Sequence, residues 1–383
     1  MRNPVFVGSA FVAQYPEGGG NFWVPLQYLL GLLDLGVDAW WLELLWTRRD
    51  PARDRRNVET FRRHVAELGV ADRVVLVFFP ESERAEPPGR AEVIGMDAGE
   101  LAARQRDGLL LNMAESVPAS LRGAFGRTAL FDLDPGPFQL WALEWGMGVG
   151  AHDAHVTIGR HLGASDSPVP LGGVEWRRVW PAVHLPAWPV QRTPAACWTT
   201  VTQWWNNQYA FLDGDCYDCN KRSGFLEVID LPARAGVPLE LAANLHADER
   251  EDRELLARHG WRLADPAVVA GTPQAFRAYV QASRGELSCA KPAYVKARSG
   301  WVSDRTICYL ASGRPCVVQA TGAEAHLPAS AGLRFFRSVD EAAAALAAVE
   351  ADHAAAARAA RALAEEVFAT RVVVPELLAA AGA

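Results

Sequence analysis

The sequence has few cysteines, few lysines and no long apolar run. None of its 383 residues lies in a stretch near the ~20 consecutive apolar residues that a membrane-spanning helix needs. The apolar run after Pro4 is also too short for the hydrophobic segment of a signal peptide. We therefore expect a cytoplasmic protein without membrane insertion. Half of the residues are apolar, which supplies a large core and excludes a disordered chain.

Positive charge is not in excess. The chain carries 38 lysines and arginines against 45 aspartates and glutamates, so its formal net charge is −7. Non-specific binding to nucleic acid or to an anionic membrane requires clustered positive charge. This balance predicts neither nucleic acid nor a membrane as a partner, and it gives no information on the oligomeric state.

The cysteines offer little for a metal. Of the six, only Cys216 and Cys219 have the C-x-x-C spacing of a metal-binding pair, and no second pair of this kind accompanies them. A structural zinc site needs four such ligands. We therefore expect no metal site, with reduced and partly exposed thiols at these two positions.

Apolar runs alternate with segments long enough for helices. Residues 5–12 read as a strand, Asn21 as a helix cap, and residues 37–45 as a second strand. Continuous apolar runs follow at 74–79, 109–113 and 128–133, and the alternation restarts at 197–203 and 239–245. Unbroken apolar strands are typical of a parallel sheet covered on both faces, so we predict an α/β fold with mostly parallel sheets.

A cluster of prolines divides the chain. Pro181, Pro186, Pro189 and Pro194 fall within fourteen residues, a density that resists both helix and sheet. We predict a first Rossmann-like domain at 1–180, a linker at 181–196 and a second Rossmann-like domain at 197–365. A terminal helix at 366–383 completes the expected organisation.

Three glycines follow the first strand. Gly18, Gly19, Gly20 and the adjacent Asn21 precede helical spacing, so a phosphate or sugar can approach backbone N–H groups there. The segment has neither the lysine of a P-loop nor the G-x-G-x-x-G pattern. A flexible turn is the alternative interpretation. The later glycines at 146–150 lack the context of a dinucleotide fingerprint, so no nicotinamide cofactor is expected.

A histidine and an aspartate lie side by side after those later glycines. His152 and Asp153 precede the apolar residues 156–158, and such a neighbourhood is able to supply a general base. Adjacent residues do not automatically share a face, so a structural role is the alternative. We assign His152 as the candidate base, with Asp153 orienting it.

The densest polar signal lies in the second half of the chain. Loops at the carboxyl ends of parallel strands bind ligands in open α/β sheets, and cationic and helix-capping residues cluster at such positions here. Ser303 at a helix start is able to bind a phosphate, and a simple helix cap is the alternative interpretation. Asp304 is better suited to bind a hydroxyl than a phosphate, because its negative charge would repel a phosphate. The expected ligand-binding residues are Arg284, Lys291, Ser303, Asp304, Arg305, Thr321 and Gly322.

Two sequence blocks carry a family resemblance. The segment EGGGNFW and the blocks SRGELSCAK and SGWVSDRTICYLASGRPCVVQATG resemble glycosyltransferases of the GT-B type, in a bacterial branch of that family. The resemblance implies two domains facing across a cleft, with a nucleotide sugar on the second domain and the acceptor on the first. It also implies that the terminal helix crosses back to the first domain.

The chain departs from the retaining members of that family. Alignment on the G-R-P triplet places Cys308 and Gly300 near the positions of two glutamates that those enzymes carry. Retaining chemistry is therefore not carried over, and the stereochemistry stays open. Inverting members often have a histidine after the first strand, where this chain offers only Glu17 and Asn21.

These observations predict a metal-independent glycosyltransferase with no cofactor. The expected substrates are a nucleotide diphosphate sugar and a small molecule that resembles a natural product and offers a hydroxyl or amine. Two alternatives stay open: a nucleotide-sugar epimerase, which needs no acceptor, and a non-catalytic protein of the same fold that binds nucleotide sugars.

Overall fold

The architecture is described from a computed structural model that covers residues 3–82, 90–193, 195–246 and 248–383. These residues form sixteen strands and fifteen α-helices. The strands are β1 (Val5–Val7), β2 (Ala39–Trp46), β3 (Val74–Phe79), β4 (Glu92–Ile94), β5 (Leu109–Met113), β6 (Arg127–Asp132), β7 (Ala154–Thr157), β8 (Trp176–Arg178), β9 (Trp198–Gln203), β10 (Tyr209–Leu212), β11 (Asp215–Asp218), β12 (Leu239–Asn244), β13 (Arg262–Leu263), β14 (Gly285–Ser288), β15 (Cys316–Gln319) and β16 (Leu333–Phe336).

The helices alternate with these strands along most of the chain. They are α1 (Gly19–Asp34), α2 (Pro51–Glu67), α3 (Ala98–Asp107), α4 (Ala119–Arg122), α5 (Pro137–Glu144), α6 (Lys221–Glu227), α7 (Leu231–Ala235), α8 (Arg250–Arg258), α9 (Pro266–Val269), α10 (Pro273–Ala282), α11 (Pro292–Ala297), α12 (Asp304–Ala311), α13 (Val339–Ala351), α14 (His353–Leu363) and α15 (Thr370–Ala381). None of the helices in the described ranges is long and apolar enough to cross a membrane.

Two separate sheets organise the chain. The first has eight strands in the order β4-β3-β2-β1-β5-β6-β7-β8, all parallel except for the pairing of β3 with β4. The second has six parallel strands in the order β13-β12-β9-β14-β15-β16. The strand order reverses between β1 and β5 in the first sheet and between β9 and β14 in the second. Such switch points open a crevice at the carboxyl ends of the strands.

The apolar runs locate the strands well. Strands β3 and β5 coincide with the predicted runs at 74–79 and 109–113, because the central strands of both sheets are buried on both faces. The first strand, however, ends at Val7. Gly8 lies against the backbone of Leu111, and Phe11 has a positive φ of 58°, so the chain turns away from the sheet at this point.

The predicted cap at Asn21 is wrong, since α1 begins two residues earlier, at Gly19. The strands of the two sheets lie on either side of residues 181–196, although the exact domain limits stay a prediction. The terminal helix α15 packs against α1 and β7 of the first sheet. A bridge between Val183 and Ala369 fixes the return of the chain to that sheet.

Candidate active site

A cleft of about 1670 Å³ lies between the carboxyl ends of the two sheets. Its first wall is the loop after β1 together with the start of α1, including Tyr15, Glu17 and Asn21. Its second wall is formed by the ends of β9 and β12 and by the first turns of α6 and α12. The cleft is larger than the ~300–1,000 Å³ of a typical small-molecule pocket, so it has room for two substrates.

The glycine loop, residues 18–20, lies where the two walls of the cleft contact each other. A Cβ atom on Gly19 would lie 2.1 Å from the carbonyl carbon of Thr272, and the Gly19 amide donates to the carbonyl oxygen of Ala270 at 2.8 Å. Gly18, Gly20 and Asn21 line the cleft. The loop therefore needs small residues for close approach of the second domain, and two of its glycines also expose backbone to the cleft.

The start of α12 forms the floor of the second wall. Ser303 caps this helix, because its Oγ accepts from the Arg305 amide at 3.2 Å. Ser303, Asp304 and Arg305 all line the cleft. The structure therefore brings these three of the predicted residues together. Burial raises the pKa of Asp304 to about 6. A carboxylate in this position is suited to accept a hydrogen bond from a hydroxyl.

Each nitrogen of the Arg305 guanidinium group already makes a hydrogen bond within the protein. It donates to Glu286 Oε1 at 2.5 Å, to the carbonyl oxygen of Val201 at 2.7 Å and to Ser288 Oγ at 2.5 Å. Glu286 is completely buried, so the pair fixes the end of β14 beneath α12. Arg305 therefore holds the second wall of the cleft in place, and its charge is already paired with Glu286.

Sequence reasoning missed Lys221, the first residue of α6. Its side chain lines the cleft, and its amine lies 5.3 Å from the centre of the Trp301 ring. Within the described ranges the amine makes no hydrogen bond and no ion pair. Burial, with a further contribution from the Arg305 cation, holds the pKa of Lys221 well below its usual value. A partly buried cation without a counter-ion marks a place for an anion.

One signal for Lys221 was present in the sequence. The chain has only three lysines among its 38 cationic residues, which makes each of them unusual. Its position could not be read, because the β10–β11 hairpin separates β9 from α6 and hides the usual strand-to-helix spacing. The antiparallel hairpin returns the chain to the cleft at Lys221.

Arg284 and Lys291 do not reach the cleft. Arg284 precedes β14, so it lies at the amino end of the sheet, where it binds both carboxylate oxygens of Glu350. Lys291 does follow β14, but its amine donates to both carboxylate oxygens of Asp134 in the first domain, at 3.0 and 2.9 Å. Neither cation is part of the cleft that Ser303 lines.

Gly322 belongs to the contact between the domains, whereas Thr321 bonds within the second domain. The Thr321 hydroxyl donates to the carbonyl oxygen of Trp301 at 2.7 Å, and Gly322 has a φ of 97° and lies against the His161 ring. His161 in turn lies 2.8 Å from His326, measured between Nδ1 and Nε2. Both predicted residues thus follow β15 as expected, but they bind protein groups.

His152 and Asp153 lie away from the cleft and do not bond to each other. The His152 ring is buried beside Asn112 and Arg122, with Nε2 at 3.1 and 3.4 Å from their nitrogens. Asp153 accepts from the Thr128 amide at 2.7 Å, at the amino end of β6. Burial, aided by the Arg122 cation, lowers the pKa of His152 to about 4. The ring is neutral at pH 7 and does not line the cleft.

The two cysteines with metal-like spacing differ in exposure. Cys216 is exposed on β11, whereas Cys219 is buried, and burial raises the pKa of its thiol to about 12. No cluster of three or more metal-ligating side chains occurs in the ranges that the structure describes.

The fold is shared with several solved structures. No protein-family model matches the chain, and no curated protein matches it either. An α-glucosyltransferase solved with UDP is similar at a TM-score of 0.58 and 9% identity, with 100% of each chain covered. Its complex with UDP and a 13-mer DNA containing a HMU base has the same TM-score of 0.58.

Two further structures have the same architecture. Anabaena HepE, solved with UDP and glucose, has a TM-score of 0.57 at 12% identity over 100% of each chain. Sucrose-phosphate synthase from Thermosynechococcus elongatus has a TM-score of 0.50 at 12% identity, with 98% of this chain and 97% of that chain covered. These likenesses confirm the predicted fold, an α/β chain of the GT-B kind with large parallel sheets.

Proposed function

We propose that this chain transfers a glycosyl group from a nucleotide diphosphate sugar to a hydroxyl or amine. The observation that carries the proposal is Lys221, a partly buried amine in the cleft that contacts the Trp301 ring but makes no hydrogen bond or ion pair among the described residues. The diphosphate lies between this amine and the first turn of α12. There the free N–H groups and the helix dipole favour negative charge.

Uridine nucleotides are the first donors to test. The α-glucosyltransferase and HepE were both solved with UDP, and HepE with UDP and glucose together. Their fold is the fold of this chain, which supports a donor of the same class without fixing its base or sugar. Asp304 then accepts a hydroxyl of the donor, because it lies beside the proposed diphosphate site but would repel a phosphate.

In the proposed transfer, the second wall binds the leaving diphosphate and the first wall supplies the candidate base. As the bond between sugar and diphosphate breaks, negative charge grows on the leaving diphosphate, and Lys221 and the α12 N-terminus stabilise it. In this proposal these groups supply the positive charge without a metal ion or a cofactor. Glu17 on the first wall replaces His152 as the candidate base, because Glu17 lines the cleft and His152 does not.

The acceptor is less constrained than the donor. A small natural-product-like acceptor was expected from the sequence and stays a prediction, since a cleft of about 1670 Å³ also admits the end of a polymer. No residue on the first wall selects between a hydroxyl and an amine. Glu17 and Asn21 are able to hydrogen-bond to either group.

The test is turnover of UDP-, TDP-, GDP- and ADP-sugars, followed as nucleotide release with and without EDTA. Release with one donor that rises when an acceptor is added supports the proposal. Conversion of the sugar without nucleotide release would identify an epimerase. Tight binding with neither reaction would identify a binding protein. Loss of turnover in EDTA would contradict independence of a metal ion.

A further inference from the structure

An arginine-rich surface begins at the mouth of the cleft. Residues 48–63 contain seven arginines and three carboxylates, a local net charge of +4 in a chain whose net charge is −7. All seven arginines are exposed. We call this surface the arginine track: Arg48, Arg49, Arg53, Arg55, Arg56, Arg62 and Arg63. The acidic balance of the whole chain does not reveal this local cluster of positive charge.

The track leads outward from the cleft. Helix α2 follows the carboxyl end of β2, so its first turn is at the cleft edge and its last turn is far from it. At the inner end Arg48 Nη2 donates to the Tyr15 hydroxyl at 2.7 Å, and Tyr15 lines the cleft. From there α2 extends 17 residues, about 25 Å at 1.5 Å per residue.

The packing of α2 does not depend on four of these arginines. The inner face of α2 packs through Asn57, Phe61 and His64, while the arginines occupy the outer face. The side chains of Arg53, Arg55, Arg56 and Arg62 make no hydrogen bond or ion pair within the part of the chain that the structure describes. Five of the seven arginines lie on α2 itself, where like charges at this spacing repel one another, so an anionic ligand bound along the helix would relieve that repulsion.

We propose that the acceptor is an acidic polysaccharide, whose end enters the cleft past Tyr15 while its charged units lie along the arginine track. This inference rests on the proposed function and replaces the small-molecule acceptor, which would have no use for the track. Guanidinium groups bind carboxylate and sulfate or phosphate groups through paired hydrogen bonds. At the cleft end, the half-exposed Tyr15 ring and the polar Glu17 and Asn21 suit a sugar unit.

Two other anionic partners fit less well. A membrane-binding helix presents large apolar side chains beside its cations, and none of the exposed large apolar residues in the described ranges lies on α2. A single-stranded nucleic acid binds through rings that stack on its bases, and the outer face of α2 has no aromatic residue. Charge without apolar or aromatic anchors disfavours a membrane and a single-stranded nucleic acid, and it is what a polysaccharide with repeating anionic groups requires.

The experiment compares four probes on the full-length protein. Labelled oligogalacturonate carries one carboxylate per sugar, dextran is neutral, and single-stranded DNA and phosphatidylserine vesicles are the competing anions. The test variant is Arg55→Gln with Arg62→Gln, because neither side chain has a partner among the described residues that the change would leave unsatisfied. The control, Arg106→Gln with Arg358→Gln, removes the same charge from exposed sites on α3 and α14.

We expect oligogalacturonate to bind and dextran not to bind. The track variant should lose about tenfold or more in affinity, and its plot of log affinity against log salt should be shallower. The control variant should bind as the wild type does. Tighter binding of DNA or vesicles than of oligogalacturonate, or equal affinity in both variants, would overturn the proposal.

A UDP-sugar titration on the same proteins separates this inference from the proposed function. The track lies outside the donor site, so both double variants should bind the donor as the wild type does. If no protein in the series binds a nucleotide sugar, the proposed function fails. If all bind the donor and only the oligogalacturonate result is negative, the acceptor proposal alone fails.

Discussion

The amine of Lys291, from the second domain, lies 3.0 and 2.9 Å from the two carboxylate oxygens of Asp134 in the first. The Tyr294 hydroxyl donates to the same carboxylate. This contact joins the loop after β14 to the loop after β6, and neither Lys291 nor Asp134 lines the cleft. Lys291 is therefore part of the joint between the domains and not of the donor site that its sequence position predicts.

Replacing Lys291 should loosen the joint between the domains without harming donor binding. In Lys291→Met, Asp134 keeps only the tyrosine hydroxyl, so we expect a larger radius of gyration by small-angle scattering. The affinity for UDP should change by less than about threefold, since a direct charged contact would cost more. Lys296→Met is the control, because its amine pairs with Asp215 inside the second domain. A tenfold loss of UDP affinity in Lys291→Met alone would return this lysine to the donor site.

Arg284 should matter for stability and not for nucleotide binding. Its side chain and that of Glu350 are each about one quarter exposed, so Arg284→Ala leaves a partly buried carboxylate without its cation. We expect a loss of about 1–2 kcal/mol in the free energy of unfolding. Arg234→Ala, which breaks a more exposed pair with Asp340, should cost under ~0.5 kcal/mol. Urea unfolding measures both, and a weakened UDP titration with intact stability would contradict the assignment.

Adding one carbon at Gly19 should disturb the cleft. In Gly19→Ala the new Cβ would collide with the backbone of Thr272, so the first wall must move away from the second domain. We expect lower stability, by about 1–3 kcal/mol as for other overpacked sites, together with weaker donor binding. Gly150→Ala is the matched control, because its Cβ would meet no atom within 4 Å. Equal melting temperatures for the two variants would show that the contact is not tight.

His152 should make the protein sensitive to acid. Its pKa is about 4 in the folded chain against 6.5 for a free histidine, so the unfolded state takes up a proton that the native ring refuses. Stability therefore falls as the pH drops from 6.5 towards 4, by about 1–3 kcal/mol from this group. His152→Gln cannot titrate, and its urea stability should decline less between pH 7 and pH 4.5. An identical decline in wild type and variant would rule this out.

The same variant also tests the role first assigned to His152. A general base contributes ~10²–10⁴-fold to turnover, whereas the structure buries His152 beside Asn112 and Arg122, away from the cleft. We expect turnover in His152→Gln to stay within about tenfold of wild type at pH 7, a smaller effect than the loss of a general base. A larger loss in a folded variant would restore the assignment.

The apolar runs in the sequence predict where the strands lie. They do not predict where the side chains at the ends of those strands point. Apolar runs such as Val74–Phe79 are set by burial on both faces of a sheet, a local property that the sequence carries. Arg284 and Lys291 flank the same strand, β14, and therefore lie at opposite edges of the sheet. Only the carboxyl ends of the strands face the cleft. Arg284 and Lys291 are close in sequence, but they are not close together in the structure, and the predicted cluster of cations does not form.

Contacts between the domains account for most of the remaining differences. Asp134 engages Lys291 over a separation of 157 residues, and His161 covers Gly322 from the other domain. No local pattern reveals such pairs. The helix cap at Ser303 is present where the sequence indicates a helix start, because such a cap is encoded within a few residues. Lys221 was missed because its neighbours in the cleft come from distant parts of the chain.

The most direct test of the central claim is the affinity of Lys221→Met for UDP, measured by calorimetric titration beside Lys296→Met. If Lys221 binds the diphosphate, its replacement should weaken UDP binding by about 10- to 100-fold, the range of a charge-assisted contact of about 1.5–3 kcal/mol. Lys296→Met, which removes the same charge outside the cleft, should bind UDP as the wild type does. Equal UDP affinity in the two variants would contradict the proposed donor site.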